Sequence, residues 1–256
     1  MNIQNCVAVI SGGASGLGEA VVRDLVAKGG KAAIFDFDAG NGEKLAAELG
    51  DAVIFCKTDV ADETSVKAAV DRTMNAFGAI HFAVNCAGVA SPKKVIDKNG
   101  NPIPIDFFNR VLQINLVGTM NVIRLAAVEM CKNTPNHDGE KGVVINVASV
   151  AAFEGQVGQA AYSASKAGIV GMALPIAREF ADYGIRVNTI APGIFMTPMM
   201  AGLPENTQKS LAQMMPFPKR LGKPGEFARL VRHIIENPMI NAETIRLDAG
   251  LRMAAK

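Results

Sequence analysis

Ser11-Gly12-Gly13-Ala14-Ser15-Gly16-Leu17-Gly18 is the stretch from which the fold is read. An apolar run of strand length, Cys6–Ile10, precedes it. A helix-period segment, Gly16–Ala27, follows, with Leu17, Ala20, Val21, Leu25 and Val26 on one face. Glycines 12, 16 and 18 permit a tight turn, let the main chain approach a pyrophosphate and allow close helix–strand packing. The helix N-terminus behind them offers free N–H groups and a partial positive charge, so Gly12, Ser15, Gly16, Leu17 and Gly18 form a candidate phosphate cradle. The spacing is Gly-x-x-x-Gly-x-Gly rather than the commoner Gly-x-Gly-x-x-Gly. A nucleophile elbow at Ser15 is excluded, because Leu17 stands where that motif needs its second glycine. A merely structural turn is the competing explanation, and the position directly after the first strand favours the cradle.

Outward from this unit, strand and helix signals alternate along the chain. Apolar runs at Ala32–Phe35, Ala52–Cys56, His81–Cys86, Val143–Val147, Ile185–Ile190 and Thr244–Leu247 complete a set of seven with the first. Helical segments are expected at Gly42–Leu49, Glu63–Phe77, from near Ile105, at Gln159–Phe180 and at Glu226–Ile235. Strands that are apolar almost throughout belong in a parallel sheet covered on both faces. The prediction is an α/β chain with one doubly wound Rossmann-fold domain, residues 1–256, around a seven-stranded parallel sheet, with ligands at the carboxyl ends of its strands. Three segments interrupt the pattern. Ser91–Pro104 is a turn-rich insertion and Lys132–Lys141 a polar loop. Ile194–Pro218 carries Phe195, Met196, Met199, Met200, Met214, Met215 and Phe217 among four prolines, and reads either as an adaptable lid over an apolar substrate or as core and interface filler.

Bulk properties narrow the function. Twenty-six basic residues oppose 24 acidic ones, and no basic run exceeds a pair such as Lys93-Lys94, so no nucleic-acid partner is expected. Cys6, Cys56, Cys86 and Cys131 form no Cys-x-x-Cys pair and read as reduced thiols, most of them in the core. His81, His137 and His233 lack ligand spacing, so no metal is expected. Met1–Asn5 leads straight into the first strand and no long uninterrupted apolar stretch follows. Neither a leader nor a membrane span is expected, and the cytoplasm is the expected location.

The chemistry resides at the strand ends. Asp36, eighteen residues past Gly18, ends the second strand, where a carboxylate accepts from both ribose hydroxyls of an adenosine and repels a 2′-phosphate. Phe37 follows it, and the cradle carries no Lys or Arg to pair with such a phosphate, so NAD is expected over NADP. Asp59, with the Val60 main chain alongside, is placed to receive the adenine amino group. Asn85-Cys86-Ala87-Gly88 ends the fourth strand with small residues against which a cofactor ribose can lie, and Asn85 can pin neighbouring strands. Ser149 follows the fifth. Tyr162 and Lys166, four apart, share a helix face. A phenol with pKa near 10 is a poor acid–base group at neutral pH, and a nearby ammonium pulls it toward neutrality. The Ser149 hydroxyl can hold the oxygen that Tyr162 protonates or deprotonates.

These motifs, with Asn115 and Pro192-Gly193, resemble the short-chain dehydrogenase/reductase family over essentially the whole chain. Ser11 departs from its usual Thr and Cys86 from a common Asn. The resemblance implies that Tyr162 is the acid/base and that Lys166 holds the nicotinamide ribose and depresses the tyrosine pKa. It implies that Ser149 orients the substrate and that Asn115 holds a relay water. Thr197, Phe195 and Pro192 would border the cofactor. Within the family, Ala148–Tyr162, Pro175–Arg178, Pro216–Gly222 and Ile245–Asp248 are very similar to the type 2 3-hydroxyacyl-CoA dehydrogenases, also called 17β-hydroxysteroid dehydrogenases type 10. That likeness implies NAD-linked interconversion of L-3-hydroxyacyl-CoA and 3-ketoacyl-CoA in fatty-acid or branched-chain breakdown, Gln156 at the substrate, and a homotetramer. Lys93, Lys94, Lys98, Lys219 and Arg220 are candidates for CoA phosphates, or plain surface charges. A hydroxysteroid or other secondary alcohol, an acyl-carrier-protein thioester, and a non-catalytic dinucleotide sensor remain as alternatives.

Overall fold

The computed structural model describes residues 1–255, except the side chain of Met199, so that lid methionine lies outside the described residues. The strands are β1 (Val7–Ser11), β2 (Lys31–Asp36), β3 (Val53–Lys57), β4 (Phe82–Asn85), β5 (Gly142–Val147), β6 (Ile185–Pro192) and β7 (Thr244–Leu247). They form one sheet in the order β3-β2-β1-β4-β5-β6-β7, with every neighbouring pair parallel. The helices are α1 (Gly16–Ala27), α2 (Ala39–Leu49), α3 (Glu63–Phe77), α4 (Ile105–Leu112), α5 (Gly118–Met130), α6 (Ala160–Ala181), α7 (Pro198–Ala201), α8 (Glu205–Gln213) and α9 (Pro224–Glu236).

Successive strand side chains point to opposite faces, and because both faces are apolar two cores result. On one face Val21 and Leu25 of α1, Leu45 of α2, and Phe227, Val231 and Ile234 of α9 cover Ile10, Ile34, Val84 and Ile145. On the other, Val66 and Val70 of α3, Val122 and Ile123 of α5, and Ile176 of α6 cover Val9, Phe35, Val144 and Val187. Each such fully buried aliphatic contributes roughly 1.5–3 kcal/mol.

Strand order reverses between β1 and β4, which opens a crevice at their carboxyl ends. There Ser11 is in register with Asn85, and Asn85 with Asn146. The Asn85 amide donates to Asn146 Oδ1 at 2.9 Å, so it does pin adjacent strands beneath the crevice.

Three features depart from expectation. α4 and α5 are one continuous helix, widened by a π turn at Gln113–Val117. That helix, Ile105–Met130, is long and apolar enough to cross a membrane, with half of its apolar window buried inside the fold. The apolar residues are interrupted by Gln113, Asn115, Asn121 and Arg124, which hid this from an uninterrupted-stretch criterion. Finally, the segment 194–218 is partly helical (α7 and α8). Its Met215 is buried with Leu221 and Leu251, and Ile194, Met200, Leu211, Met214 and Met253 pack around them.

Candidate active site

A cleft of about 610 Å³ opens at the crevice, within the size range of small-molecule sites. Its walls include Gly12, Ser15, Gly16, Leu17, Gly18, Asp36, Asp59, Val60, Cys86, Ala87, Gly88 and Thr197, so twelve of the expected cofactor residues converge.

The cradle is shaped by its glycines. Gly12 has φ +66°, and a Cβ there would lie 2.7 Å from Ala87 N. A Cβ at Gly18 would drive into the Gly12 carbonyl. Ser15 is the N-cap of α1 yet makes no side-chain cap bond, which leaves its hydroxyl and the first N–H groups of α1 for an anion. A dinucleotide pyrophosphate fits this cradle: no side chain fills it, and main-chain N–H groups face it.

At the outer end, Asp36 Oδ2 accepts from Ala14 N at 2.9 Å and Oδ1 from Asp38 N at 3.0 Å. These bonds hold the carboxylate at the cleft and leave further lone pairs for ribose hydroxyls. Lys57 is the strand partner of Asp36, and its Nζ lies 5.7 Å from the Phe37 ring centre; the cradle itself carries no cation. Asp59 Oδ1 caps the local turn by accepting from Ala61 N, and Val60 O accepts from the Asn121 amide.

At the inner end stand the reacting groups. A Cβ on Gly88 would lie 3.1 Å from Asn115 Oδ1 and 3.5 Å from Lys166 Nζ, so the cleft floor abuts both. Lys166 is buried, donates to Val147 O at 2.7 Å, and burial lowers its pKa to about 8. Burial raises the Tyr162 phenol above its usual value, with the Ser149 hydroxyl pulling the other way. The expected depression by Lys166 is therefore not present in the chain alone. The ammonium points at Val147 O, 5.9 Å from the Tyr162 ring centre, and desolvation of the phenol prevails. Ser149 Oγ accepts from Ala151 N at 3.1 Å, which fixes it where β5 ends. Cys86 is inert, its thiol pushed up to about 12 by burial. Cys56 is buried as a whole residue, Cys6, Cys86 and Cys131 are part-buried residues packed against the two cores, and all four are free.

Five further expected residues lie elsewhere or are otherwise engaged. Phe195 turns into the core, edge-on to Phe227 with ring centres 6.3 Å apart, and lines a second cavity rather than the cleft. Pro192 is buried at the end of β6, outside the cleft walls. The Asn115 carboxamide is already bonded to Val89 N (2.8 Å), Val89 O (3.0 Å) and Ser165 Oγ (3.0 Å). It braces the π turn with both amide protons, and Oδ1 keeps one lone pair beyond the bond from Val89 N. Gln156 directs its amide to Ala254 O at 3.0 Å. Arg220, a candidate for CoA phosphate, is held bidentately by Glu226. Sequence reasoning missed Phe37, Thr58, Val89, Arg110, Ile114 and Pro198 as cleft walls. Phe37 and Thr58 adjoin named residues and were findable, whereas Arg110 and Ile114 arrive from a helix that only the tertiary fold brings there.

A sequence profile described as short chain dehydrogenase matches residues 6–208. The chain belongs to the short-chain dehydrogenase family. Short-chain dehydrogenases use nicotinamide dinucleotides, and this one is an oxidoreductase acting on a small molecule. It is 53% identical to the 3-hydroxyacyl-CoA dehydrogenase type-2 of Homo sapiens over 253 residues, 98% of this chain and 97% of that one. It is 51% identical to the enzyme of that name from Drosophila melanogaster over 252 residues, 98% of this chain and 99% of the other. The crystal structure of 3-hydroxyacyl-CoA dehydrogenase type-2 from Mycobacterium avium superimposes with a TM-score of 0.94 at 39% identity, covering both chains fully.

Proposed function

We propose that this short-chain dehydrogenase interconverts L-3-hydroxyacyl-CoA and 3-ketoacyl-CoA with NAD. The observation that carries it is the part-buried Tyr162 with the buried Lys166 one helical turn on, Lys166 abutting Gly88 at the floor of a dinucleotide cleft whose outer end holds Asp36. Bound nicotinamide supplies the hydride acceptor or donor, and this chain's residues do the rest. Asp36 receives the adenosine ribose hydroxyls and disfavours a 2′-phosphate. The Gly12–Gly18 cradle takes the pyrophosphate. Lys166, charged below about pH 8, stands at Gly88 to hold the nicotinamide ribose. Ser149 orients the substrate oxygen, and Tyr162 Oη gives it a proton during ketone reduction and takes that proton back during alcohol oxidation. Asn115 braces the loop after β4 against α6 through Val89 and Ser165, keeping Lys166 at the cleft floor.

The acyl-CoA substrate is supported by the relatives' names and by the methionine-rich lid over 194–218, whose flexible side chains suit apolar chains of variable length. Exposed Val117, Met120, Val128 and Leu174 on the 105–130 helix and α6 support self-association, and we assign a homotetramer, to be checked by light scattering. Four free cysteines fit a reducing compartment, and we assign the cytoplasm, to be checked by fractionation. The substrate test follows NADH consumption with acetoacetyl-CoA, longer 3-ketoacyl-CoAs, acetoacetyl-acyl-carrier protein and 17-ketosteroids. The thioesters of CoA should turn over fastest, and steroids outpacing every one of them would refute the assignment.

A further inference from the structure

The loop between Ser149 and Tyr162 is held on its outer side by the C-terminal tail. Glu154 is the centre of that attachment. Arg246, at the end of the sheet in β7, donates to Glu154 Oε1 at 2.8 Å and Oε2 at 3.1 Å. Met253 N donates to Glu154 Oε2 at 3.1 Å, and Arg252 Nε lies 3.3 Å from Oε1. Asp248 ties the two arginines together, accepting from Arg246 Nε at 2.7 Å and Arg252 Nη1 at 3.2 Å. Two further bonds run from the loop to the tail: Gln156 Nε2 to Ala254 O at 3.0 Å and Val157 N to Ala255 O at 3.1 Å.

The same tail has an apolar side. Leu251 is fully buried with Met215 and Leu221, and Met253 packs on that cluster beside Met200, Leu211 and Met214. Five consecutive residues thus join the serine–tyrosine loop to the lid. A lone exposed ion pair contributes little, but a bidentate carboxylate shared by two arginines and a main-chain N–H is a network of the kind that does hold geometry.

We propose that Glu154 is a positioning residue: it clamps the tail Leu251–Ala255 between the loop carrying Gln156 and the methionine-rich lid, and so sets the width of the substrate pocket. Glu154 touches neither the cleft nor the reacting groups, and its effect passes through the tail. Substrate binding, rather than cofactor binding or the proton step, is what it controls.

The proposal rests on the site assignment above, and the two fail separately. The Michaelis constant is compared on whichever carbonyl substrate the unmodified enzyme reduces, so a wrong substrate class leaves the test intact. Glu154→Gln should raise KM about tenfold with kcat within about twofold, because a small misplacement of a binding wall weakens positioning. The dissociation constant of NADH should stay unchanged. A chain ending at Arg252 should do the same, and amide exchange at Val157 should quicken in it. The two changes act through one tail, so the double variant should show the KM of the truncated chain alone. An unchanged KM in the truncated chain overturns the proposal even if Glu154→Gln fails to fold. Effects on KM that multiply in the double variant overturn it as well.

Discussion

Replacing Lys166 by Met should make the protein more stable at neutral pH and less active. The folded chain holds this ammonium buried, with its pKa lowered from 10.5 to about 8. Below pH 8 both folded and unfolded chains carry the proton, and the folded chain bears the full desolvation cost. Each unit of pKa difference corresponds to about 1.4 kcal/mol, so that cost is roughly 3 kcal/mol. Between the folded and unfolded values the unfolded chain binds more protons, so stability rises with pH across that window and levels off above it. Methionine fills a similar volume without a charge, but it leaves Val147 O without the 2.7 Å bond, a loss of about 1 kcal/mol. The variant should therefore gain about 2 kcal/mol near neutral pH, and the gain should shrink and reverse as pH approaches the unfolded value. Urea denaturation of both proteins at a series of pH values measures this directly. A difference independent of pH, or a variant less stable at neutral pH, would refute the buried-ammonium account. Stability given up at a working residue is the familiar cost of function.

Asp36→Ala should lower NADH affinity and raise NADPH affinity, narrowing the cofactor preference by about tenfold or more, because Lys57 then stands unopposed in register with the site. Fluorescence titration with both cofactors checks this, and an unaltered preference would show that Asp36 does not set it. Gly12→Ala should weaken NADH binding severely and cost at least 1–2 kcal/mol, since its φ is +66° and the new Cβ meets Ala87 N. Gly225→Ala in the first turn of α9, whose Cβ meets nothing within 4 Å, is the control that should leave NADH binding unchanged and stability equal or slightly higher. His81 accepts a 3.0 Å bond from Val7 N on an unprotonated nitrogen, and burial lowers its pKa below 6.5. Its contribution is complete above pH 6.5 and is lost as pH falls below it, so His81→Gln should flatten the acid limb of the stability curve. An acid limb of unchanged slope would count against this.

The sheet was legible because its central strands are buried on both faces and so appear as largely apolar runs, with polar residues entering in β6 and the part-buried edge strand β7; each lies within two residues of the run that announced it. Even α6 was continuous through Pro175, as its periodicity required. The cradle and Asp36 were legible for a different reason, since glycine spacing and a strand-end carboxylate are local features. What failed was non-local. The direction of Phe195 is decided by Phe227 on α9, and the work of the Asn115 amide by Val89 and Ser165, neither of which is near it in sequence. The π turn has no composition signal. The Tyr162–Lys166 spacing correctly placed both groups on one helix face, but the sign of the phenol's shift depended on burial and on where Lys166 Nζ donates.

That pair carries the central claim. Tyr162→Phe removes only the phenolic oxygen, leaving the ring, the cradle and Asp36 in place. In single-turnover mixing of the variant, NADH and a 3-ketoacyl-CoA, the account predicts NADH binding of normal affinity and a hydride-transfer rate lower by about a thousandfold or more, the scale of a lost general acid. Hydride transfer at a near-normal rate, with NADH bound normally, would contradict it.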